Sequence, residues 1–141
     1  METTQQKQIT VEATVNAPVS KVWNYFTEPA HIMKWCYASD DWHAPYAEND
    51  VRDGGKFKTT MAAKDGSMQF DFAGIYDKVE DQRLITYRLE DGRQVRIEFS
   101  FAKEGTIIRE TFDPENVFSV DMQRAGWQSI LDNFKKYVEA N

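Results

Sequence analysis

The C-terminal stretch, residues 119–139, is the feature that most limits what this chain can fold into. Apolar side chains recur there at steps of three and four residues, which is the spacing of one face of an α-helix. They are Val120, Trp127, Ile130, Leu131, Phe134 and Val138. Ser119 suits the N-cap position of this helix and Asp121 its first turn. A helix about 31 Å long crosses a small domain, so we expect the rest of the chain to form the surface that covers its apolar face.

The N-terminal third predicts one strand followed by two short helices. Residues 9–16 alternate between apolar and polar side chains, as a half-buried strand does. Ala17-Pro18 then starts a helix, because proline is tolerated in the first helical turn, and Pro29 ends it. Residues 30–34 predict a second, shorter helix.

The middle of the chain predicts a meander of antiparallel strands. Residues 36–53 are the least regular part, with a short strand expected near residues 48–52. A two-residue alternation then returns, and it predicts strands over 57–63, 68–74, 84–90, 95–101 and 106–112. Asp65-Gly66 is a hairpin signal, and Gly74 inside a strand indicates a bulge or bend. Antiparallel strands followed by a segregated helix predict an α+β fold, with a bent sheet of about six or seven strands around the long helix.

Composition and charge narrow the classes of partner. The 141 residues suit one domain, 1–141, with a frayed tail at residues 1–6. The net charge of −6 argues against nucleic acid and against an anionic membrane surface as partners. Aromatic residues make up 13% of the chain, and these rings are expected either to line a cavity or simply to fill the core.

Cysteine usage and the terminal residues predict a cytoplasmic protein. Cys36 is the single cysteine, so no internal disulfide forms and a reducing compartment fits. The polar N-terminus lacks the apolar core of a signal peptide. No apolar run of about 18 residues is present, so no span is predicted to cross a membrane.

Several short motifs together resemble one known superfamily. They are Ala17-Pro18 with Val22-Trp23, Pro29, Trp35, residues 51–57, Asp65-Gly66, residues 72–74, and Gly126-Trp127 leading to Leu131. In this order they resemble the START-like, helix-grip (SRPBCC or Bet v 1-like) superfamily and, within it, the family named after the homologue of the heat-shock ATPase activator (AHSA1-like). The resemblance implies a curved antiparallel sheet that grips the long helix. It also implies a hydrophobic cavity between them, which in the wider superfamily takes lipids, sterols, hormones or polyketides.

Two residues of the predicted helix and one of the last strand predict polar groups inside the cavity that could orient a ligand. If residues 106–112 alternate inward from Thr106, the Glu110 carboxylate points at the helix. Arg124 and Gln123 each lie one turn from Trp127. A Glu110–Arg124 pair would orient a ligand in an apolar cavity. The alternatives are a structural ion pair at the cavity rim, or a Glu110 that faces water.

Cavity candidates come from the inward positions of the predicted elements. They are Trp35, Trp42, Phe57, Met61, Met68, Phe70, Phe72, Tyr87, Phe99, Glu110, Gln123, Arg124, Trp127 and Leu131. The alternative is that these side chains fill the space entirely. Gly126 is costly inside a helix. It indicates either a close approach of the helix to a neighbouring element or room left for a ligand.

Other chemistry-bearing residues show no metal or cofactor pattern. His31 and His43 are separated by twelve residues and, with one cysteine, do not form a compact zinc motif. We therefore expect no metal and no cofactor. Either histidine could act as an acid or base near a cavity mouth, and Cys36 is expected to be a packing residue.

Three functions remain open from the sequence. The first is binding of a small apolar or amphipathic molecule. The second is an enzyme of the same fold, of the cyclase, dehydratase or hydrolase type, using Glu110 or a histidine. The third is a cofactor or interaction module of a chaperone ATPase. This last function is expected least, because the eukaryotic activator has an additional N-terminal chaperone-holding module and only a few polar residues precede the first strand here. A homodimer, through exposed strand edges or around Trp42, is a further prediction.

Overall fold

The fold combines one antiparallel sheet with three helices. The computed structural model describes residues 8–141, so the tail predicted at residues 1–6 lies outside the described part. The elements in chain order are β1 (Ile9–Val15), α1 (Val19–Thr27), α2 (Pro29–Trp35), β2 (Trp42–Asn49), β3 (Lys56–Ala63), β4 (Gln69–Glu80), β5 (Leu84–Leu89), β6 (Gln94–Ala102), β7 (Gly105–Phe112) and α3 (Val120–Ala140). The predicted order of a strand, two short helices, six further strands and a long helix is confirmed.

The sheet curls into a half-barrel with β1 and β2 at its two edges. Its strand order is β1-β7-β6-β5-β4-β3-β2, and every neighbouring pair is antiparallel. From β2 to β7 the chain is a simple meander, and β7 then pairs with β1 in a regular register from Ile9↔Phe112 to Val15↔Thr106. Helices α1 and α2 connect the opposite edges β1 and β2, so they close one end of the curled sheet.

Helix α3 runs beside β1 and covers its open edge. The Gln128 side chain exchanges hydrogen bonds with the backbone of Glu12, receiving one from the amide at 3.4 Å and donating one to the carbonyl at 3.1 Å. Further along, Lys135 Nζ donates to the Thr14 carbonyl at 2.7 Å, and Glu139 accepts from the Asn16 amide at 2.8 Å. An unpaired strand edge would otherwise be a template for pairing with another chain, and α3 satisfies part of this one.

The two halves of α3 pack differently. In the C-terminal half, Leu131, Phe134 and Val138 are fully buried. The Phe134 ring packs edge-to-face against Phe26 and Trp35, with centroids 5.3 and 4.8 Å apart. In the N-terminal half, Trp127 stacks on Phe112 with ring centroids 3.8 Å apart but is only partly buried. The predicted apolar face therefore exists, but it is fully buried only in its C-terminal half.

The structure departs from the sequence prediction at β2 and near Gly74. The strand predicted near residues 48–52 instead spans Trp42–Asn49, with a register shift between His43 and Tyr46. Gly74 itself pairs regularly with Phe57 and Leu89, and the bulge of β4 lies between Tyr76 and Lys78. Gly74 is required for close packing, since a Cβ there would lie 2.4 Å from the Arg88 carbonyl oxygen.

Some residues predicted on inward faces point outward. Met68 is 64% exposed and Phe101 is 91% exposed, because the alternation of each strand ends before it reaches them. Val120 belongs to the predicted stripe of α3 but is also exposed. Across residues 8–141, no helix is both long enough and apolar enough to span a membrane.

Candidate functional site

A cavity of about 470 Å³ lies between the N-terminal half of α3 and the concave face of the sheet. This volume is within the range of small-molecule sites, about 300–1,000 Å³. The walls come from the inner faces of β3, β4, β5 and β7, from the end of α2 and the loop after it, and from the first turns of α3. The cavity lies here because the fully buried apolar residues of α3 are all in its C-terminal half, whereas Gly126 in the N-terminal half faces open space.

Most of the predicted cavity residues are brought together, and four are not. Those that line the cavity are Trp35, Trp42, Phe57, Met61, Phe70, Phe72, Tyr87, Glu110, Gln123 and Trp127. Met68 and Arg124 are exposed at the surface. Phe99 is buried against Trp23 and Phe26 of α1, and Leu131 belongs to the tightly packed half of α3.

The aromatic rings form a continuous wall along the cavity. Trp127 stacks on Phe112 with ring centroids 3.8 Å apart and meets Phe72 edge-on at 5.8 Å. Phe57 in turn contacts Phe72 at 5.9 Å and Tyr87 at 4.7 Å. Rings held by one another in this way keep few rotamers, so the wall is largely preformed.

Glu110 places a carboxyl group in the depth of this apolar space. It points inward from β7 between Val11 of β1 and Ile97 of β6, as the strand alternation predicts, and its residue surface is 7% exposed. Among residues 8–141 its carboxyl group has no hydrogen-bond or ion-pair partner. Burial disfavours the charged form and raises the pKa of Glu110 from its usual value of 4.5 to about 8.

Two other ionisable groups lie in the electrostatic field of Glu110. They are the Tyr87 hydroxyl on β5 and the Cys36 thiol at the end of α2. Burial, with a smaller contribution from Glu110, raises the pKa of Cys36 to about 12 and that of Tyr87 well above its ordinary value. Both groups therefore stay protonated and neutral at physiological pH.

The predicted Glu110–Arg124 pair is wrong. The Arg124 guanidinium pairs with Asp121, one turn earlier on α3, at 3.2 Å, and its side chain is about half exposed. Arg124 sits at the border of the inward face, and a guanidinium there reaches water instead of entering an apolar cavity. The alternative in which Glu110 faces water is also wrong, because Glu110 is buried.

Gln123 is at the cavity, but its amide is already occupied. Nε2 donates to the carbonyls of Glu115 at 3.1 Å and Phe118 at 2.8 Å, and Oε1 accepts from the Glu115 amide at 2.9 Å. These bonds tie the 115–118 loop to α3. Gln123 is therefore a residue that positions this loop, and it has little capacity left to orient a ligand.

Gly126 faces open space. A Cβ atom built at this position would meet no atom within 4 Å, and the residue lines the cavity on the same face as Gln123 and Ile130. The interpretation of Gly126 as a close-approach site is therefore wrong. The missing side chain enlarges the cavity.

Neither histidine lies at the cavity. The His31 ring stacks on Tyr25, with centroids 3.9 Å apart, and its Nδ1 is 2.7 Å from the Tyr137 hydroxyl. His43 is exposed on the edge strand β2. A role for either histidine as an acid or base at the cavity mouth is not supported by these positions. Within the described residues, no three His, Cys, Asp or Glu side chains are grouped to hold a metal ion.

The cavity mouth carries exposed apolar side chains. Phe70 on β4 and Phe118 in the loop before α3 both line the cavity, and they are 49% and 55% exposed. Val117 and Met122 beside Phe118 are exposed as well. An apolar entry of this kind suits a ligand that is itself partly apolar.

Sequence reasoning missed some wall residues. Thr59 on β3 is buried at the cavity between Phe57 and Met61, and its hydroxyl has no partner among the described residues. The two-residue period of β3 places Thr59 inward, so the signal was present. Cys36 also lines the cavity, but nothing in its local sequence indicates that.

Comparisons with known proteins agree on one family. The profile of the family described as "Activator of Hsp90 ATPase homolog 1-like protein" matches residues 16–139. The solution structure of an AHSA1-like protein from Aeromonas hydrophila has a TM-score of 0.89 at 43% identity, over 94% of this chain and 92% of that one. A protein from Cytophaga hutchinsonii has a TM-score of 0.81 at 57% identity, over 95% and 93%.

More distant structures share the fold alone. A protein from Chromobacterium violaceum has a TM-score of 0.85 at 21% identity, over 96% of this chain and all of its own length, 100%. No curated protein sequence matches the chain.

Proposed function

The chain belongs to the Activator of Hsp90 ATPase homolog 1-like family, and from this premise we propose that it binds a small, largely apolar molecule with one polar group. The molecule lies between α3 and the sheet, with its apolar part against the aromatic wall and its polar group at Glu110. The family is one of helix-grip proteins, in which a curved sheet holds a long helix.

The observation that carries this proposal is the unpartnered Glu110 carboxyl group in a ring-lined cavity. The carboxyl oxygens open onto the cavity, since among the described residues no side-chain oxygen or nitrogen is both enclosed and without a hydrogen bond. A carboxyl group that faces an apolar space without a protein partner is expected where a ligand supplies that partner. Gly126 supports the same conclusion, since a helix-favouring residue there would reduce the open volume.

A cavity-filling variant tests the proposal. Gly126→Leu places an apolar side chain in the open space, while Gly126→Ala adds a single methyl group and serves as the control. Thermal unfolding of the three proteins is measured with lipids, sterols and aromatic amphiphiles. Since a ligand that binds only the folded state raises the melting temperature, we expect at least one class to stabilise the wild type and the alanine variant.

The same class is expected to leave Gly126→Leu unaffected. Equal stabilisation of the leucine variant would place binding outside the cavity. A failure of every class to stabilise the wild type would contradict the proposal itself.

Catalysis by Glu110 is a second candidate, and the raised pKa of its carboxyl group favours it. A buried carboxyl group with a pKa of about 8 in an apolar cavity is suited to general acid or base chemistry of the cyclase, dehydratase or hydrolase type. Any molecule that stabilises the wild type is incubated with it and the mixture is examined by mass spectrometry. A new product that Glu110→Gln does not form, although the variant binds the molecule, supports this candidate. An unchanged molecule rules out turnover of that compound.

A contact with a chaperone ATPase is a third candidate, suggested by the family's name. The observation that favours a protein partner is the run of exposed apolar residues Val117, Phe118, Val120 and Met122 before and within the first turn of α3. The ATPase rate of an Hsp90-type chaperone is measured with the wild type and with Val117→Ser/Met122→Ser. Stimulation that the double variant loses supports the contact, and an unchanged rate at saturating protein removes it.

A further inference from the structure

We propose that the ligand is a cationic amphiphile, a primary amine whose ammonium group pairs with the Glu110 carboxylate while its apolar body lies along the ring-lined wall. This inference rests on the proposed function and specifies the chemistry of the ligand's polar group. It begins from the fact that Glu110 is buried and that, among the described residues, no cation lies within ion-pair distance of it.

The charges around the cavity favour a cation over an anion. Besides Glu110, the carboxylates Glu48 and Glu115 line the space. Arg93 is the one basic residue among the lining residues, and its guanidinium is held at 2.7 Å by Asp91. The Glu115 carboxylate accepts hydrogen bonds from the backbone amides of Val117 and Phe118. While Glu110 is still protonated, the carboxylates Glu48 and Glu115 repel an entering carboxylate and attract an ammonium group.

Three side-chain oxygens at the cavity can accept hydrogen bonds from an ammonium group. A primary ammonium has three N–H donors and no acceptor. Glu110, Tyr87 and Thr59 each present an oxygen without a partner among residues 8–141. The faces of the surrounding aromatic rings carry negative electrostatic potential and add attraction to a nearby cation.

Proton balance gives the proposal a measurable signature. Before binding, the carboxyl group carries a proton at neutral pH, because its pKa is about 8. The amine arrives as an ammonium ion, so forming the ion pair releases the Glu110 proton to solvent. Among the groups that face Glu110, Tyr87 of β5 and Cys36 at the end of α2 have raised pKa values and stay protonated. Of the charged lining residues, Glu48 is exposed and Glu115 and Arg93 are half-buried, and the positive charge of Arg93 acts on Tyr87.

Isothermal titration calorimetry tests the inference with three probes that share a naphthyl group and differ in their polar group. They are naphthylethylamine, naphthylethanol and naphthylacetic acid. We expect the amine to bind most tightly and the acid most weakly. Titrations in two buffers of different ionisation enthalpy count the protons. At about pH 7 the amine is expected to release close to one proton, and its affinity is expected to rise about tenfold by about pH 9.

Glu110→Gln separates an ionic ligand from a neutral one. The amide has the size of the acid and can still donate a hydrogen bond to a neutral acceptor, but it cannot pair with a cation. We expect the variant to lose at least about tenfold in amine affinity, and all proton release, while it keeps its affinity for the alcohol. Glu98→Gln, on the outer face of β6 next to Ile97, is the control and should change nothing.

Two results would overturn the inference, and they differ in what they mean for the proposed function. If the alcohol binds the wild type and Glu110→Gln equally well and the amine binds no better, the cavity takes a neutral ligand and the proposed function stands. If none of the three probes binds, this inference fails, and the wider thermal-shift screen decides the proposed function separately.

Discussion

At the scale of single residues, Glu110 is the feature that separates this interior from an ordinary core. Its neighbours along the sheet, Val11 and Ile97, are apolar, and a leucine at position 110 would continue the pattern of the strand. Sequence alternation alone predicts that Glu110 points inward. It could not predict that Arg124 would turn outward to Asp121 and leave the carboxyl group unpaired, because this depends on the rotation of α3 about its axis.

The raised pKa of Glu110 predicts a pH dependence of stability. In the unfolded chain this carboxyl group loses its proton near its usual pKa of 4.5, and in the folded protein near about 8. Between these values the folded state binds the additional proton, so the free energy of unfolding falls as pH rises and levels off above about pH 8. The loss is expected to be on the order of a few kcal/mol.

Urea denaturation of the wild type and Glu110→Gln at pH values from about 5 to about 9 measures this dependence. The glutamine variant lacks the titrating group, so its stability relative to the wild type should increase across this range. A difference between the two proteins that stays constant with pH would show that Glu110 titrates normally.

Two glycines are expected to respond to alanine in opposite ways. At Gly126 a Cβ meets nothing within 4 Å, so Gly126→Ala should stabilise the helix by about 0.5–1 kcal/mol. At Gly74 the Cβ would lie 2.4 Å from the Arg88 carbonyl oxygen and 3.0 Å from the Phe57 ring, so Gly74→Ala should destabilise by about 1–3 kcal/mol. Chemical denaturation measures both, and a loss of stability in Gly126→Ala would contradict the open space at that position.

At the scale of elements, α3 is a helix with two functions along its length. Its C-terminal half holds the core through Leu131, Phe134 and Val138, and its N-terminal half forms one wall of the cavity. The 3.6-residue period predicts the helix and its start at Ser119, whose hydroxyl accepts from the Met122 amide at 3.1 Å. It does not distinguish the two halves, because apolar residues that face a cavity and apolar residues that fill a core have the same spacing.

The loop over the cavity is expected to depend on Gln123. Gln123→Leu keeps the volume of the side chain but removes three hydrogen bonds to the backbone of Glu115 and Phe118. The loop should loosen, at a cost of about 1–3 kcal/mol. Hydrogen exchange of the Glu115 amide measures this directly, since the amide loses its acceptor in the variant. Unchanged protection of the Glu115 amide would show that the loop is held by other contacts.

Strand β2 shows where local sequence fails as a guide. Residues 42–49 contain Pro45 and do not alternate regularly between apolar and polar side chains. In the structure, a register shift between His43 and Tyr46 interrupts the pairing of this strand with β3. The strand is defined by its partner β3 and by α2, which packs against it, so only the tertiary structure locates it.

At the scale of the whole molecule, the topology explains how distant parts of the chain meet at one site. The pairing of β1 with β7 closes the meander, and α1 and α2 join the opposite edges of the sheet. This arrangement brings Cys36, Tyr87, Glu110 and Trp127 to the same cavity. The fold class follows from the order of the elements and the resemblance to a helix-grip family, whereas the open volume depends on how closely α3 approaches the sheet, which no local pattern encodes.

Methyl NMR of the methionines tests most directly whether a ligand enters this cavity. Met61 on β3 lines it and is 7% exposed, whereas Met33, Met68 and Met122 are exposed at the surface. With methyl-labelled methionine and naphthylethylamine, we expect shifts and intermolecular NOEs at the Met61 methyl group, and no NOE at Met33. NOEs confined to Met68 and Met122, with the Met61 signal unmoved, would show that the amine binds only outside the cavity and would refute binding between α3 and the sheet.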